Sequence, residues 1–165
     1  MNERVAIYPG DFDPVTYGHL DIIVRGLTIF DRIIVTVLNN SRRDFLFSVK
    51  ERVKLLQMAT STMAAVTIDS FNGLLIDYAD QKKVHTILRG LRAASDFECE
   101  LHIAVINKNL NPNIETCFMM TSSKYSFFNS SMVKEAAGCG GSVSNLVPPC
   151  VEEALKNKFA AAGKS

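Results

Sequence analysis

Short apolar runs and amphipathic stretches alternate along almost the whole chain. The apolar runs predict β-strands over residues 4–8, 32–38, 66–69, 84–88 and 115–120. The run at 32–38 is rich in β-branched side chains, as is typical of a central parallel strand buried on both faces. Apolar residues at helical spacing predict helices over 19–30, 48–60, 94–109, 130–137 and 151–159, with a further helix ending near residue 81.

Two of these helices carry additional signals. Ser48 and Glu51 have the spacing of a capping box at the start of the second helix. The helix predicted over 94–109 has two neighbouring apolar faces, formed by Phe97, Leu101 and Val105 and by Cys99, Ile103 and Ile106. A helix that is apolar on more than one side is either fully buried or covered by another subunit.

The alternation of strands and helices predicts an α/β protein. We expect a Rossmann-like, parallel, five-stranded sheet flanked by helices and joined by right-handed crossovers. Residues 1–159 would form a single domain, and residues 160–165 would form a disordered tail. Such sheets bind ligands at the carboxyl ends of their strands, where the strand order reverses.

Composition narrows the possible classes of function. The 165 residues are 47% hydrophobic, which is enough for the core of one domain. A net charge of +1 gives no sign of a nucleic-acid or membrane partner. Neither a signal peptide nor a membrane span is predicted, so we expect a cytoplasmic protein. The four cysteines contain no Cys-x-x-Cys pair, and with the three histidines they complete no zinc spacing.

The stretch from residue 8 to residue 19 joins the first predicted strand to the first predicted helix. Pro9, Gly10, Pro14 and Gly18 hold its backbone in a defined loop. His19 follows at the helix N-terminus, where free N–H groups attract anions. Taken alone, the stretch fits either a phosphate site or an ordinary turn with a surface histidine.

Cationic and hydroxyl side chains follow the other strands at the same predicted edge. Arg42 and Arg43 follow the second strand, and residues 89–92 form a predicted turn with two arginines after the fourth. Hydroxyl groups and Lys124 follow the fifth strand. Guanidinium groups bind phosphate bidentately, and serines at a helix N-terminus can hydrogen-bond phosphate together with backbone N–H groups. Their convergence predicts a polyphosphate site.

Three motifs carry a family resemblance. Thr16-Tyr-Gly-His19 resembles the T/H-x-G-H signature of the nucleotidyltransferase superfamily, and Asn129-Ser-Ser-Met-Val-Lys134 resembles its second, I-S-S-T-x-x-R-type signature. Arg89-Gly-Leu-Arg92, followed by Asp96-Phe-Glu-Cys-Glu100, narrows the resemblance to the bacterial phosphopantetheine adenylyltransferases. The resemblance covers the chain to about residue 159.

The resemblance implies a reaction and its partners. The enzyme would transfer AMP from ATP to 4′-phosphopantetheine, giving dephospho-coenzyme A and pyrophosphate by in-line attack without a covalent intermediate. It would use Mg²⁺, form a homohexamer and be inhibited by coenzyme A. The alternatives are another nucleotidyltransferase of the superfamily, of the cytidylyl or nicotinamide-nucleotide type, and a non-catalytic nucleotide-binding protein.

The resemblance also assigns residues by position. Catalytic roles fall to His19, Arg43 and Arg92, with His19 as a hydrogen-bond donor rather than a base. The implied ATP-binding residues are Asp11, Phe12, His19, Gly90, Leu91, Arg92, Glu100, Tyr125, Ser126, Phe127, Phe128, Asn129, Ser130 and Ser131. The implied acceptor-binding residues are Asp11, Arg43, Leu75 and Arg89. No metal ligand is assigned.

Asp11 is the main departure from the family pattern, which has Thr or Ser at this position. A carboxylate 4 Å from a phosphate charge costs on the order of 4 kcal/mol at an effective dielectric constant of 20. The carboxylate could point away or pair with Arg43 or Arg89, it could bind Mg²⁺, or the site could be weakened or altered in acceptor. Arg43 replaces a lysine, Asn129 a serine and Cys99 an aromatic residue.

Overall fold

The computed structural model describes residues 3–39, 44–92 and 94–162. The strands are β1 (Val5–Gly10), β2 (Arg32–Leu38), β3 (Val66–Phe71), β4 (Thr86–Leu91) and β5 (Glu115–Met120). The helices are α1 (Tyr17–Gly26), α2 (Val49–Ala59), α3 (Leu75–Lys82), α4 (Ala94–Leu110), α5 (Ser130–Gly138) and α6 (Pro149–Ala162). A single 3₁₀ turn at Ser123–Tyr125 follows β5.

The five strands form one parallel sheet in the order β3-β2-β1-β4-β5. The chain builds outward from β1 to β3 and then crosses to β4 on the other side of β1, so the strand order reverses between β1 and β4. In β2, Ile33 to Val37 are buried, as expected for a strand with elements packed on both faces. The predicted fold class is confirmed.

Apolar side chains form a core on each face of the sheet. On one face, Ile22 and Ile23 of α1 and Leu56 of α2 pack with side chains from α5 and α6. On the other face, Ile7 and Ile87 pack with side chains from α3. The layers leave the carboxyl ends of the strands, and the loops that follow them, free to form a site.

Several predicted boundaries are wrong. Helix α1 begins at Tyr17 rather than at residue 19, because Thr16 is its N-cap, and it ends at Gly26 rather than at residue 30. The predicted turn over 89–92 is largely strand, since Arg89, Gly90 and Leu91 pair with β5. Helix α6 continues to Ala162, three residues into the segment predicted as a disordered tail.

Helix α4 exposes most of its large apolar side chains. The exposed fractions of Phe97, Leu101, Ile103, Val105 and Ile106 range from 41% to 57%. Full burial within the chain, one of the two alternatives for this helix, is therefore wrong. Cover by another subunit stays a prediction.

All four cysteines are free thiols. Nowhere in the described ranges is a helix long and apolar enough to cross a membrane.

Candidate active site

A cavity of about 840 Å³ opens at the carboxyl ends of β1 and β4, where the strand order reverses. Its wall contains these predicted site residues: Asp11, Phe12, His19, Arg89, Gly90, Arg92, Glu100, Phe128, Asn129, Ser130 and Ser131. A second cavity of about 670 Å³ adjoins it and contains Leu75 and Arg89. The two cavities are neighbours, because Pro9, Leu38, Arg89, Glu100 and Ile103 line both of them.

Gly10 and Phe12 shape the loop that follows β1. Phe12 is buried with a φ of 49°, an uncommon conformation for a residue with a side chain. Its ring contacts the rings of Tyr8 and His19 edge to face, with centroids 5.5 and 5.0 Å apart. A Cβ atom at residue 10 would lie 2.9 Å from the Phe12 ring, so only glycine leaves room for it. The loop thus supports the imidazole of His19 from one side.

His19 is the third residue of α1 and closes a capping box with Thr16. The backbone N–H of Thr16 donates to Nδ1 of His19 at 3.0 Å, and the N–H of His19 donates to Thr16 Oγ1 at 3.4 Å. A backbone N–H can only donate, so Nδ1 accepts and the proton of the neutral ring lies on Nε2. Burial, and then the charges of Arg92 and Arg89, lower the pKa of His19 to about 4. At neutral pH, His19 is therefore a neutral Nε2–H donor.

Arg89 is anchored between β1 and α4. Its Nε donates to Glu100 Oε2 at 2.6 Å, a second bond joins Nη2 to Glu100 Oε1, and Nη1 donates to the carbonyl of Pro9 at 2.7 Å. Burial alone would lower the pKa of Arg89, but the bonds to Glu100 outweigh it and the pKa is raised. Glu100, expected to contact ATP, holds this guanidinium at the boundary between the two cavities.

Arg92 directly follows β4 and pairs with the first turn of α4. Its Nε donates to Asp96 Oδ2 at 3.0 Å, and its backbone N–H reaches the same oxygen at 3.3 Å. The Arg92 side chain is 39% exposed and lines the larger cavity, so it remains within reach of a ligand.

The N-terminus of α5 lies against the loop after β1. Asn129 caps the helix by accepting from the N–H of Met132 at 2.8 Å. Ser130 Oγ donates to the carbonyl of Pro14 at 2.8 Å, which joins the second signature motif to the loop just before the first. Asn129, Ser130 and Ser131 line the same cavity as His19. A helix N-terminus at this position is suited to binding an anion.

Asp13 and Lys134 are cavity residues that were not among the predicted site residues. Lys134 Nζ lies 2.6 Å from Oδ2 of Asp13, whose side chain is only 4% exposed. Lys134 comes one helical turn after Ser130, at the last position of the second signature motif. That spacing was the signal that could have identified it.

Some predicted residues lie away from the cavity wall or outside the described residues. Leu91 is buried in β4, Tyr125 packs near Tyr17, and Ser126 donates to the carbonyl of Ser122. Phe127 is 80% exposed. Arg42 and Arg43 lie outside the described residues, and the roles of all these side chains stay predictions.

Asp11 lines the larger cavity, as do Arg89 and Arg92. Its negative charge raises the pKa of Arg89 and opposes the lowering of the Arg52 pKa by burial. The three accounts of this residue stay predictions.

Comparisons with known proteins bear on the family and the fold. A sequence model of the cytidylyltransferase-like family matches residues 7–136. The chain is 50% identical over 159 residues to a phosphopantetheine adenylyltransferase of Syntrophotalea carbinolica, covering 96% of both chains. A crystal structure from Vibrio parahaemolyticus, of a protein proposed to be a nicotinate-nucleotide adenylyltransferase, superposes with a TM-score of 0.67 at 16% identity. That likeness covers 94% of this chain and 93% of the other, and it supports the fold alone.

Proposed function

The chain belongs to the cytidylyltransferase-like family and, within it, to the phosphopantetheine adenylyltransferases, and we propose that it transfers AMP from ATP to 4′-phosphopantetheine. The products are dephospho-coenzyme A and pyrophosphate. The reaction is the penultimate step of coenzyme A biosynthesis.

One observation carries the proposal: the anchored guanidinium of Arg89 lines two neighbouring cavities. A nucleotide and an elongated acceptor need separate spaces that join where the phosphates react. The larger cavity, with His19 and the N-terminus of α5, suits the triphosphate. The smaller cavity, with Leu75, suits the pantetheine arm.

The chemistry requires no nucleophile from the protein. An oxygen of the acceptor phosphate attacks the α-phosphorus of ATP, a new P–O bond forms, and the bond to the bridging oxygen breaks as pyrophosphate leaves. The Nε2–H of His19 donates to an oxygen of the α-phosphate, where negative charge develops. Because Nδ1 is held by Thr16, the donor needs no reorientation during the reaction.

The remaining residues bind and orient the two anions. Arg92, Ser130 and Ser131 bind the triphosphate, and Arg89 positions the acceptor phosphate. Arg43, outside the described residues, supplies a second cation on the acceptor side. Residues 125–128 contact the adenosine when ATP is bound.

Mg²⁺ accompanies ATP in this proposal. Within the described ranges, no group of three or more histidine, cysteine or acidic side chains could hold a metal ion. At nucleotide sites Mg²⁺ is usually held by phosphate oxygens, water and one or two carboxylates. Bound with the triphosphate, the ion would neutralise part of its charge.

Inhibition by coenzyme A, a homohexamer and a cytoplasmic location complete the proposal. Coenzyme A contains both the pantetheine arm and an adenylate, so it would occupy both cavities at once. The exposed apolar residues of α4 support subunit contacts on that helix, because monomers seldom leave large apolar patches in water.

The decisive experiment measures pyrophosphate release with ATP, Mg²⁺ and 4′-phosphopantetheine, omitting each in turn. We expect release only with all three present, and dephospho-coenzyme A detected by mass spectrometry. Matched reactions with CTP and glycerol 3-phosphate, and with nicotinamide mononucleotide as acceptor, test the other nucleotidyltransferases. Faster release in either of those reactions would overturn the assignment.

A further inference from the structure

Arg52 is a buried cation that the proposed mechanism does not use. It lies in the first turn of α2, is only 1% exposed, and is not part of either cavity wall. Burial lowers its pKa, and the charges of Asp13 and Asp11 oppose that shift. Keeping a charge at such a position is costly unless it satisfies several partners.

The partners of Arg52 are three backbone carbonyls from separate segments around the larger cavity. Its Nη1 donates to the carbonyls of Asp11 at 2.7 Å and Leu38 at 3.2 Å, and its Nε donates to that of Phe47 at 3.1 Å. Asp11 follows β1, Leu38 ends β2, and Phe47 precedes α2. One guanidinium thus joins the ends of two strands to the start of a helix.

The same guanidinium supports a side chain of the cavity wall. Its central carbon lies 4.0 Å from the ring centroid of Phe45, which lines the larger cavity. Asp11 and Leu38 line it too. A planar fork of donors can stack on a ring and reach several carbonyls, whereas the single ammonium of lysine cannot.

We propose that Arg52 is a positioning residue for AMP transfer, which holds Phe45 and the backbone of Asp11 and Leu38 in the wall of the cavity. The kinetic part of this inference rests on the proposed function. Its structural part, the orientation of Phe45, can be tested without activity.

The segment that precedes α2 is also held by hydrogen bonds that do not involve Arg52. Asp13 accepts from the N–H of Leu46 at 3.0 Å and of Phe47 at 2.9 Å, so residue 47 is held by its N–H as well as by its carbonyl. Arg52→Lys keeps the charge and leaves these bonds in place. We therefore expect Arg52→Lys to fold.

A single-tryptophan reporter tests the orientation of Phe45. The chain contains no tryptophan, so Phe45→Trp places the only indole in the cavity wall. Acrylamide quenching of this indole should increase at least twofold when Arg52→Lys is added. It should not change with Arg4→Lys, an exposed arginine paired with Asp31. Equal quenching in the Arg52→Lys and Arg4→Lys backgrounds would overturn the proposal.

Kinetics separate positioning from a merely structural role. In Arg52→Lys, without the reporter, KM for ATP should rise at least fivefold while KM for 4′-phosphopantetheine changes less than twofold, because Phe45 lines the larger cavity and not the smaller one. Tm should stay within a few degrees of the parent. Unchanged KM values, or equal increases for both substrates, would contradict the inference. If the parent protein does not transfer AMP, the proposed function fails, and the quenching comparison still decides the orientation of Phe45.

If Arg52→Lys does not fold, Phe45→Leu tests the role of Phe45 instead. This substitution removes the ring from the cavity wall but leaves the three carbonyl bonds of Arg52 in place. KM for ATP should again rise at least fivefold at unchanged Tm. An unchanged KM would mean that the orientation of Phe45 has no role in the reaction.

Discussion

His19 has two separable tasks, and a pair of substitutions distinguishes them. His19→Ala removes both the Nδ1 acceptor for the Thr16 N–H and the Nε2–H donor. His19→Asn keeps an acceptor oxygen at nearly the position of Nδ1 but has no donor where Nε2–H lies. Both variants should lose catalysis, and only the first should also lose the helix cap.

The structure sets the expected magnitudes. Removing one preorganised donor from a developing negative charge lowers kcat about 10²–10³-fold, equivalent to about 3–4 kcal/mol. In His19→Ala the Thr16 N–H loses its 3.0 Å acceptor, which costs about 1–3 kcal/mol of stability. Both variants lose the contact with Phe12, worth about 0.5–1.5 kcal/mol. His19→Asn should therefore be the more stable variant by about 1 kcal/mol or more.

Pyrophosphate release at saturating substrates gives kcat, and urea unfolding gives the free energy of unfolding. Both variants should show a much lower kcat with KM for ATP changed only a few-fold, because the donor acts mainly in the transition state. A kcat close to that of the parent protein in either variant would refute the donor role of His19. Equal stability of the two variants would refute the cap.

Three further predictions follow from the same site. Because the pKa of His19 is lowered to about 4 from an ordinary 6.5, the unfolded state binds more protons between these values. The contribution of His19 to the free energy of unfolding should be complete above pH 6.5 and fall by at most about 3 kcal/mol towards pH 4. Urea unfolding at several pH values should show this dependence in the parent protein and not in His19→Asn. Gly90→Ala would place a Cβ 2.9 Å from Ile22 Cγ1 and should lower the free energy of unfolding in urea by about 1–3 kcal/mol. Gly18→Ala has no neighbour nearer than 3.5 Å and should lower it less. Equal losses of stability in the two variants would contradict this reasoning. Asp11→Thr should change kcat/KM for 4′-phosphopantetheine less than about tenfold if arginines offset the carboxylate, and a larger rise would identify Asp11 as a handicap.

The strands and helix ends were predicted correctly from the sequence where local sequence patterns matched the packing in the folded protein. The strands at 32–38 and 115–120 and the capping box of Ser48 and Glu51 are confirmed as predicted. The turn predicted over 89–92 was wrong because Arg89 and Gly90 look like loop residues locally. In the structure, Gly90 is a strand residue whose missing side chain makes room for Ile22, and the Arg89 side chain reaches Glu100 on α4. Both contacts are tertiary, so no local pattern reports them.

The sequence predicted many residues of the candidate site but not the hydrogen bonds that link them. Strand ends of a parallel sheet share an edge, so the convergence of His19, Arg89 and Ser130 followed from the order of elements. The contacts of Arg52 with Asp11 and of Asp13 with Lys134 join residues 41 and 121 positions apart. Arg52 contacts backbone carbonyls and Lys134 contacts a carboxylate, and only the folded chain brings these groups together. The sequence spacing of the residues therefore does not predict the contacts.

Among the described residues, the arginines and the lysine of the larger cavity are each paired with a carboxylate, and this bears on the state of His19. Arg89 pairs with Glu100, Arg92 with Asp96 and Lys134 with Asp13. Even so, the charges of Arg92 and Arg89 still contribute to the low pKa of His19, so the field at the imidazole remains positive.

A triphosphate bound beside Nε2 would reverse that field, because nearby negative charge favours the protonated ring. The pKa of His19 should therefore rise when a non-hydrolysable ATP analogue is bound. Proton NMR of the imidazole C2–H can measure the shift, with His19→Asn identifying the resonance. A pKa that stays near 4 or falls further would mean that the triphosphate lies elsewhere. In that case the donor role assigned to His19 would lose its physical basis.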